Sequence, residues 1–169
     1  DIVAPTGNAA WFKTKVPNNY PDDFFRQAAI RRLTGHNKSI VSAVYCQRNH
    51  THQLLNQMGV NPANKTHKEL AERLKQGPVD KLVEVQWSGF GCIAVHRQVF
   101  LDIAEKCPDV KGTKEGDPRG FFNPTPQTDG PEVDGEDIAF CKRARDAGHP
   151  TFLDCAVIAG HVGRTAYLP

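Results

Sequence analysis

From Gly135 to Gly163 the chain reads GEDIAFCKRARDAGHPTFLDCAVIAGHVG. Two acids, Glu136 and Asp137, open a helical pattern, an apolar strand pattern follows, and His161 sits beside Gly160 with Gly163 two residues on. A carboxylate at a helix start can take a proton as a general base, and a histidine just past a strand end can ligate a metal. The two can meet at one site.

The elements that would carry these groups are legible upstream. Asp22 or Asp23 can cap a helix running through Phe24, Phe25, Ala28, Ala29, Arg32 and Leu33 to about Gly35, because apolar residues recur at three and four. Ser39–Tyr45 reads as a buried strand. A polar helix is expected from Thr66 to Gln76, with Leu70 and Leu74 on one face and Gly77-Pro78 as its stop. Leu82–Trp87 alternates as a strand, Ser88-Gly89-Phe90-Gly91 interrupts it, and Cys92–Val95 resumes an apolar run. Phe100, Ile103, Ala104 and Cys107 mark a short helix.

Pro108–Gly135 is rich in Pro, Gly and Asp and reads as one long mobile loop, with Phe121-Phe122 available to dock it. In the helix after Gly135, Ile138, Cys141 and Ala144 or Arg145 share a face, while Lys142, Arg143 and Asp146 are placed toward water. Gly148 and Pro150 end that helix, and Phe152–Ile158 then delivers His161 to a strand exit, where α/β proteins build their sites. At the other end, Asn8–Tyr20 is loop-like, which puts Trp11 and Phe12 on a loop.

Composition excludes several classes. At 169 residues the chain suits a single domain with a sizeable core. Its 21 Lys and Arg are spread along the sequence and offset by 19 acids, so no basic stripe for nucleic acid is present. No apolar run approaches the roughly 20 residues that span a bilayer, and no basic region precedes an apolar core at the N-terminus. Cys46, Cys92, Cys107, Cys141 and Cys155 show neither CxxC nor CxxH spacing, which predicts reduced, mostly buried thiols in a cytoplasmic protein. His36, His50, His52, His67, His96 and His149 share no clustering pattern and are expected at the surface.

The ordered set of IVSAVYCQR (Ile40–Arg48), WSGFGCIAVHR (Trp87–Arg97), GEDIAFC and GHVG resembles the C-terminal half of GT-A type glycosyltransferases, especially family 2-like bacterial and phage members. The likeness covers most of Asp22–Gly163 and rests on the order of short motifs. It implies an α/β fold, a partial GT-A-like domain with a mixed β-sheet flanked by helices, in which residues 1–169 form the acceptor-binding half and the nucleotide-binding half is missing. By the same resemblance Asp1, in DIVAP, is the last acid of a DxD motif, and Asp1 and His161 hold Mn²⁺ or Mg²⁺. Asp137 is then the base, Glu136 positions the acceptor or the base, Trp87 and Phe90 stack on a sugar, and Gly89 and Gly91 open the backbone to acceptor hydroxyls.

The implied activity is metal-dependent transfer of a sugar from a nucleotide-sugar donor to a glycan or other hydroxyl acceptor, with inversion. A cation neutralises the leaving diphosphate while a base deprotonates the acceptor, and carboxylate and imidazole ligands suit either ion. Other readings stand beside these. Asp134 and Asp137 can simply cap the helix and complement its dipole. His161 can be a satisfied strand-end histidine, Asp1 an ordering boundary, and Trp87–Gly91 a bulged core strand. The whole chain can also be a non-catalytic glycan- or protein-binding module derived from such an enzyme. Either way, loss of a half would leave apolar surface for self-association.

Overall fold

Parallel neighbouring strands are covered on both faces, so they need nearly continuous apolar runs, and this chain has two: IVSAVY and TFLDCAVIA. They pair side by side at the centre of the sheet. The computed structural model of the protein describes residues 11–13, 22–45, 65–74, 76–110, 120–126, 133–162 and 166–167. In chain order these form β1 (Trp11–Lys13), α1 (Asp22–Gly35), β2 (Ile40–Tyr45), α2 (Lys65–Leu74), β3 (Leu82–Val85), β4 (Ile93–Val95), α3 (Arg97–Lys106), β5 (Thr125–Pro126), β6 (Val133–Asp134), α4 (Glu136–Asp146), β7 (Thr151–Val162) and β8 (Ala166–Tyr167). A single 3₁₀ turn, Pro108–Val110, follows α3.

The sheet is mixed. β1, β7, β2 and β4 lie in that order, and β3 and β8 also pair with β7. Only β2 and β7 run parallel; β4, β3, β1 and β8 join antiparallel. Along β2 the alternation of side chains sends Val41 and Ala43 into one cluster with Ala29 and Leu33 of α1 and Leu70 and Leu74 of α2. Ile40 enters the second cluster with Val99 and Ile103 of α3 and Phe140, Cys141 and Ala144 of α4. The two cores therefore lie on opposite faces of the sheet, with helices flanking both.

One irregularity organises the long strand. Ala43 faces Asp154, but Val44 faces Ile158, so Cys155, Ala156 and Val157 bulge out of the ladder with β2. The Asp154 side chain closes that bulge by accepting the Ala156 N–H at 2.9 Å. Asp154 is fully buried, and its second oxygen takes Arg32 Nε at 2.7 Å and lies 2.6 Å from His36 Nε2. Burial works to raise this carboxyl, but the hydrogen bonds from Arg32, His36 and Ala156 outweigh it and hold the group below the ordinary carboxylate range.

Several sequence expectations change here. Trp11 and Phe12 belong to β1, because the edge of β7 at Ile158–Gly160 offers them an open ladder. His161 lies inside β7, opposite Tyr167, because β8 returns to pair there and carries the strand beyond its expected exit. His36 and His149 are not simply surface groups: His149 bridges Ser39 Oγ at 3.1 Å and Asp102 Oδ2 at 2.7 Å, tying α3 to the entrance of the sheet. Arg143, placed toward water by helical periodicity, is buried, because Asp109 and two backbone carbonyls satisfy its guanidinium.

Within 108–135 the described parts are ordered into the 3₁₀ turn, the Gly120–Asn123 turn and the β5–β6 ladder, while residues 111–119 and 127–132 lie outside the description. Asp1, Cys46 and the 46–48 end of the first motif lie outside it as well. Among the described residues no helix is long and apolar enough to cross a membrane.

Candidate functional site

Gly135 starts α4 in an extended conformation with no side-chain cap, so neither Asp134 nor Asp137 performs the capping role open to it in the sequence. Asp134, at the end of β6, instead pairs with Lys142, eight residues on in α4. Glu136 and Asp137 occupy the first turn, where their charge complements the helix dipole. Glu136 is exposed and Asp137 is half-buried.

Residues four apart on a helix stack on one face, and Asp137, Cys141 and Arg145 form such a row. Each holds the segment that follows β3. Asp137 Oδ2 accepts the Phe90 N–H at 3.1 Å, Cys141 Sγ lies 3.5 Å from the Ser88 carbonyl, and Arg145 Nη2 donates to the Val85 carbonyl at 2.8 Å and to that of Gln86. The Trp87–Gly91 turn is thereby laid along the helix. From behind, Ser88 Oγ donates to Ser42 Oγ of β2 at 2.7 Å, both side chains being fully buried.

The Asp137 carboxyl is raised from its ordinary value, first by burial and further by the nearby charge of Glu136, with the Phe90 N–H pulling the other way. A carboxylate whose proton affinity is lifted toward neutrality is a better general base than a fully solvated one. One Asp137 oxygen, Oδ2, is engaged by the Phe90 amide.

Of the residues singled out in the sequence, the structure brings Asp137, Phe90 and the rest of the Trp87–Gly91 turn together. Trp87 and Phe90 are both partly buried against the second core. Gly89 is buried, and its carbonyl takes the Ser88 hydroxyl at 3.2 Å, whereas Gly91 is exposed. Asp1 lies outside the described residues, and of His161 only the backbone position is described. Among the described residues no group of three or more His, Cys, Asp and Glu is arranged to hold a metal ion.

Sequence reasoning missed Arg145, Ser88 and Arg143 as the parts that fix this turn and its neighbour. The four-residue step from Asp137 through Cys141 to Arg145 was the available signal for the first of them. A groove of about 330 Å³ also borders α4, between Lys106, Asp109, Thr125, Lys142 and Arg143. Asp137 is not among its lining residues, and its cations already meet Ala147 O, Asp109 and Asp134.

The cysteines around the site are structural. Cys92, Cys107, Cys141 and Cys155 carry free thiols. Burial pushes Cys92 and Cys155 up to about 12 and raises Cys141 as well. Iodoacetamide at pH 8 is therefore expected to leave Cys92, Cys141 and Cys155 unmodified in the folded protein, and to label them once denaturant is added. Rapid labelling of any of the three under native conditions, read by peptide mass spectrometry, would show that its burial is wrong. Comparison with protein-family models and with curated proteins finds no match for this chain.

Proposed function

We propose that the protein is a glycosyltransferase of GT-A type, or the acceptor-side part of one, that moves a sugar from a nucleotide-sugar donor to an acceptor hydroxyl. The observation that carries this reading is the meeting of two distant motifs. Asp137 of GEDIAFC and Phe90 of WSGFGC, 47 residues apart, are joined by a direct hydrogen bond. The resemblance assigns one of these motifs to the base and the other to the acceptor.

In this reading Asp137 takes the acceptor proton as the hydroxyl attacks the anomeric carbon. The Phe90 N–H fixes the orientation of the carboxylate, and burial keeps its proton affinity high. Glu136, exposed beside it, orients the acceptor, and the exposed Gly91 lets a sugar approach the backbone. Asp1 and His161 are the proposed ligands of Mn²⁺ or Mg²⁺, which would neutralise the leaving diphosphate. The mixed sheet with helices on both faces is compatible with such a domain, and the GT-A relationship is part of the proposal.

The test is nucleotide release by the full-length natural chain from a panel of UDP-, GDP- and dTDP-sugars with Mn²⁺. Turnover that EDTA abolishes and Mn²⁺ restores is expected. In the same assay, His161→Ala is expected to raise the Mn²⁺ concentration needed for half-maximal rate. A chain that releases no nucleotide from any donor, with or without mixed glycan acceptors, would not be this enzyme. Saccharide binding indifferent to EDTA and to Asp137→Asn would instead mark a non-catalytic module.

A further inference from the structure

Phe122 is one of the few large apolar side chains exposed among the described residues. Its ring lies nearly parallel to that of the buried Phe140, with centroids 4.9 Å apart and an interplanar angle of 14°. Phe90 meets it edge-on at 5.3 Å. One face is thus taken by Phe140 and one edge by Phe90, yet Phe122 is still 41% exposed. With one face stacked on Phe140, the opposite face is the one left for a ligand.

The ring is also held from its backbone. Arg143, buried in the second core, donates to the carbonyls of Phe121 at 3.2 Å and Asn123 at 2.7 Å, the two residues flanking Phe122. Asp109 anchors the same guanidinium at 2.7 Å. Phe121 packs edge-on against Phe100 at 5.3 Å, and Phe100 also lies 6.5 Å from Phe122 at a tilt, so both rings of the Phe pair are docked. A buried arginine engaged with two carbonyls and a carboxylate fixes a short turn in one conformation. The open face of Phe122 is thereby pre-organised.

We propose that Phe122 is a specificity-determining residue, its outer face receiving the C–H face of the acceptor's pyranose ring, with Arg143 as the residue that positions it. The placement argues for this. Phe90 connects the ring to the candidate base, packing on Phe122 with its side chain while donating its N–H to Asp137. A pyranose lying on Phe122 turns an apolar face to the ring and keeps its hydroxyls at the rim. Flat apolar surface next to a small number of placed polar groups is how saccharide-sized ligands are oriented. Trp87 and Phe90, the aromatics that the family resemblance assigned to stacking, are both partly buried against the second core, which leaves Phe122 as the more exposed ring.

The ligand's identity in this inference rests on the glycosyltransferase reading. The two are separated by pairing a binding experiment with a turnover experiment. Saturation-transfer NMR on methyl gluco-, galacto- and mannopyranosides, using the full-length chain, is expected to show protons of one ring face closest to the protein. Phe122→Tyr keeps the flat face and is expected to keep binding. Phe122→Leu keeps the apolar bulk without the face and is expected to weaken it by roughly 3- to 10-fold, the effect of one aromatic contact. Arg143→Lys, which retains the charge but not the fork, is expected to raise the acceptor KM with little change in donor hydrolysis.

Equal binding by the Leu and Tyr variants overturns the proposal, as does the absence of pyranoside binding in the parent. Normal transfer with an unchanged acceptor KM in Phe122→Leu overturns it and leaves the transferase reading intact. Pyranoside binding that depends on Phe122 in a protein that releases no nucleotide sinks the transferase reading and leaves this one standing.

Discussion

On the proposed transferase reading, Asp137→Asn is expected to lower kcat for sugar transfer by about 10²- to 10⁴-fold, the usual contribution of a positioned base, while the protein unfolds at the same temperature or a slightly higher one. The two halves of this result have one cause. The carboxyl of Asp137 is raised from its ordinary value by burial and by Glu136, so the folded state favours its protonated form. A group raised in this way contributes stability at low pH and loses that contribution as pH rises through its folded value. At neutral pH the half-buried charge is therefore a cost to folding, and an amide of the same shape removes it.

Asn can also still accept the Phe90 N–H, so the turn stays docked. Thermal unfolding measured beside initial rates separates the alternatives. Loss of rate with an unchanged midpoint assigns chemistry to Asp137. Loss of both makes it a clamp for the Trp87–Gly91 turn, and an unchanged rate removes it from the base role. In the parent, kcat/KM should rise with pH through a value above that of an ordinary carboxylate, and the variant should lack that limb.

The second large effect is on folding. Arg32→Ala is expected to destabilise the protein by about 3 kcal/mol, the low end for breaking a buried ion pair from one side. Among the described residues it leaves Asp154, with no exposed surface, holding His36 and the Ala156 N–H. The outer half of Arg32 meets solvent and the exposed Asp80, which adds little. Because the Asp154 carboxyl is depressed, its contribution is present above the unfolded value of about 4 and is lost as pH falls through the lower folded value. The stability gap between parent and variant should therefore narrow below about pH 4.

The double variant Arg32→Ala/Asp154→Asn should recover much of the loss, since an uncharged amide can keep the Ala156 contact that closes the β7 bulge. Urea unfolding of the four proteins gives the cycle. A single Arg32→Ala effect below about 0.5 kcal/mol, the usual surface value, would mean that Asp154 does not depend on its arginine.

Local pattern was enough to place most of the elements. α1 ends at Gly35 and α2 is followed by Gly77 at φ +131°, as the helix-stop residues required, and α4 is followed by Gly148 at φ +97°. The apolar runs became β2 and the first part of β7, and Phe121-Phe122 docks on Phe100, Phe90 and Phe140. In each case the information lies within a few residues, in periodicity, in a glycine that tolerates positive φ, or in a ring that must be covered.

Pairing across the chain was not legible. Nothing in Trp11–Lys13 announces an edge strand, since that assignment comes from the vacant ladder of β7. His161 is in a strand because residues 166–167 return to it. Periodicity put Arg143 toward water, because a hydrophobicity pattern counts an arginine as polar and cannot register the carbonyls and the carboxylate that satisfy it once buried.

The sequence by itself determined the helices, the two central apolar strands and the residue types at the candidate site, since these follow from backbone preference and side-chain spacing. Only the tertiary structure decided that Asp137 meets the Phe90 amide, that Arg143 fixes the turn carrying Phe122, and that Asp154 lies buried between Arg32 and His36. Those contacts join residues from 20 to 122 positions apart, and their strength comes from burial, which a linear pattern does not contain.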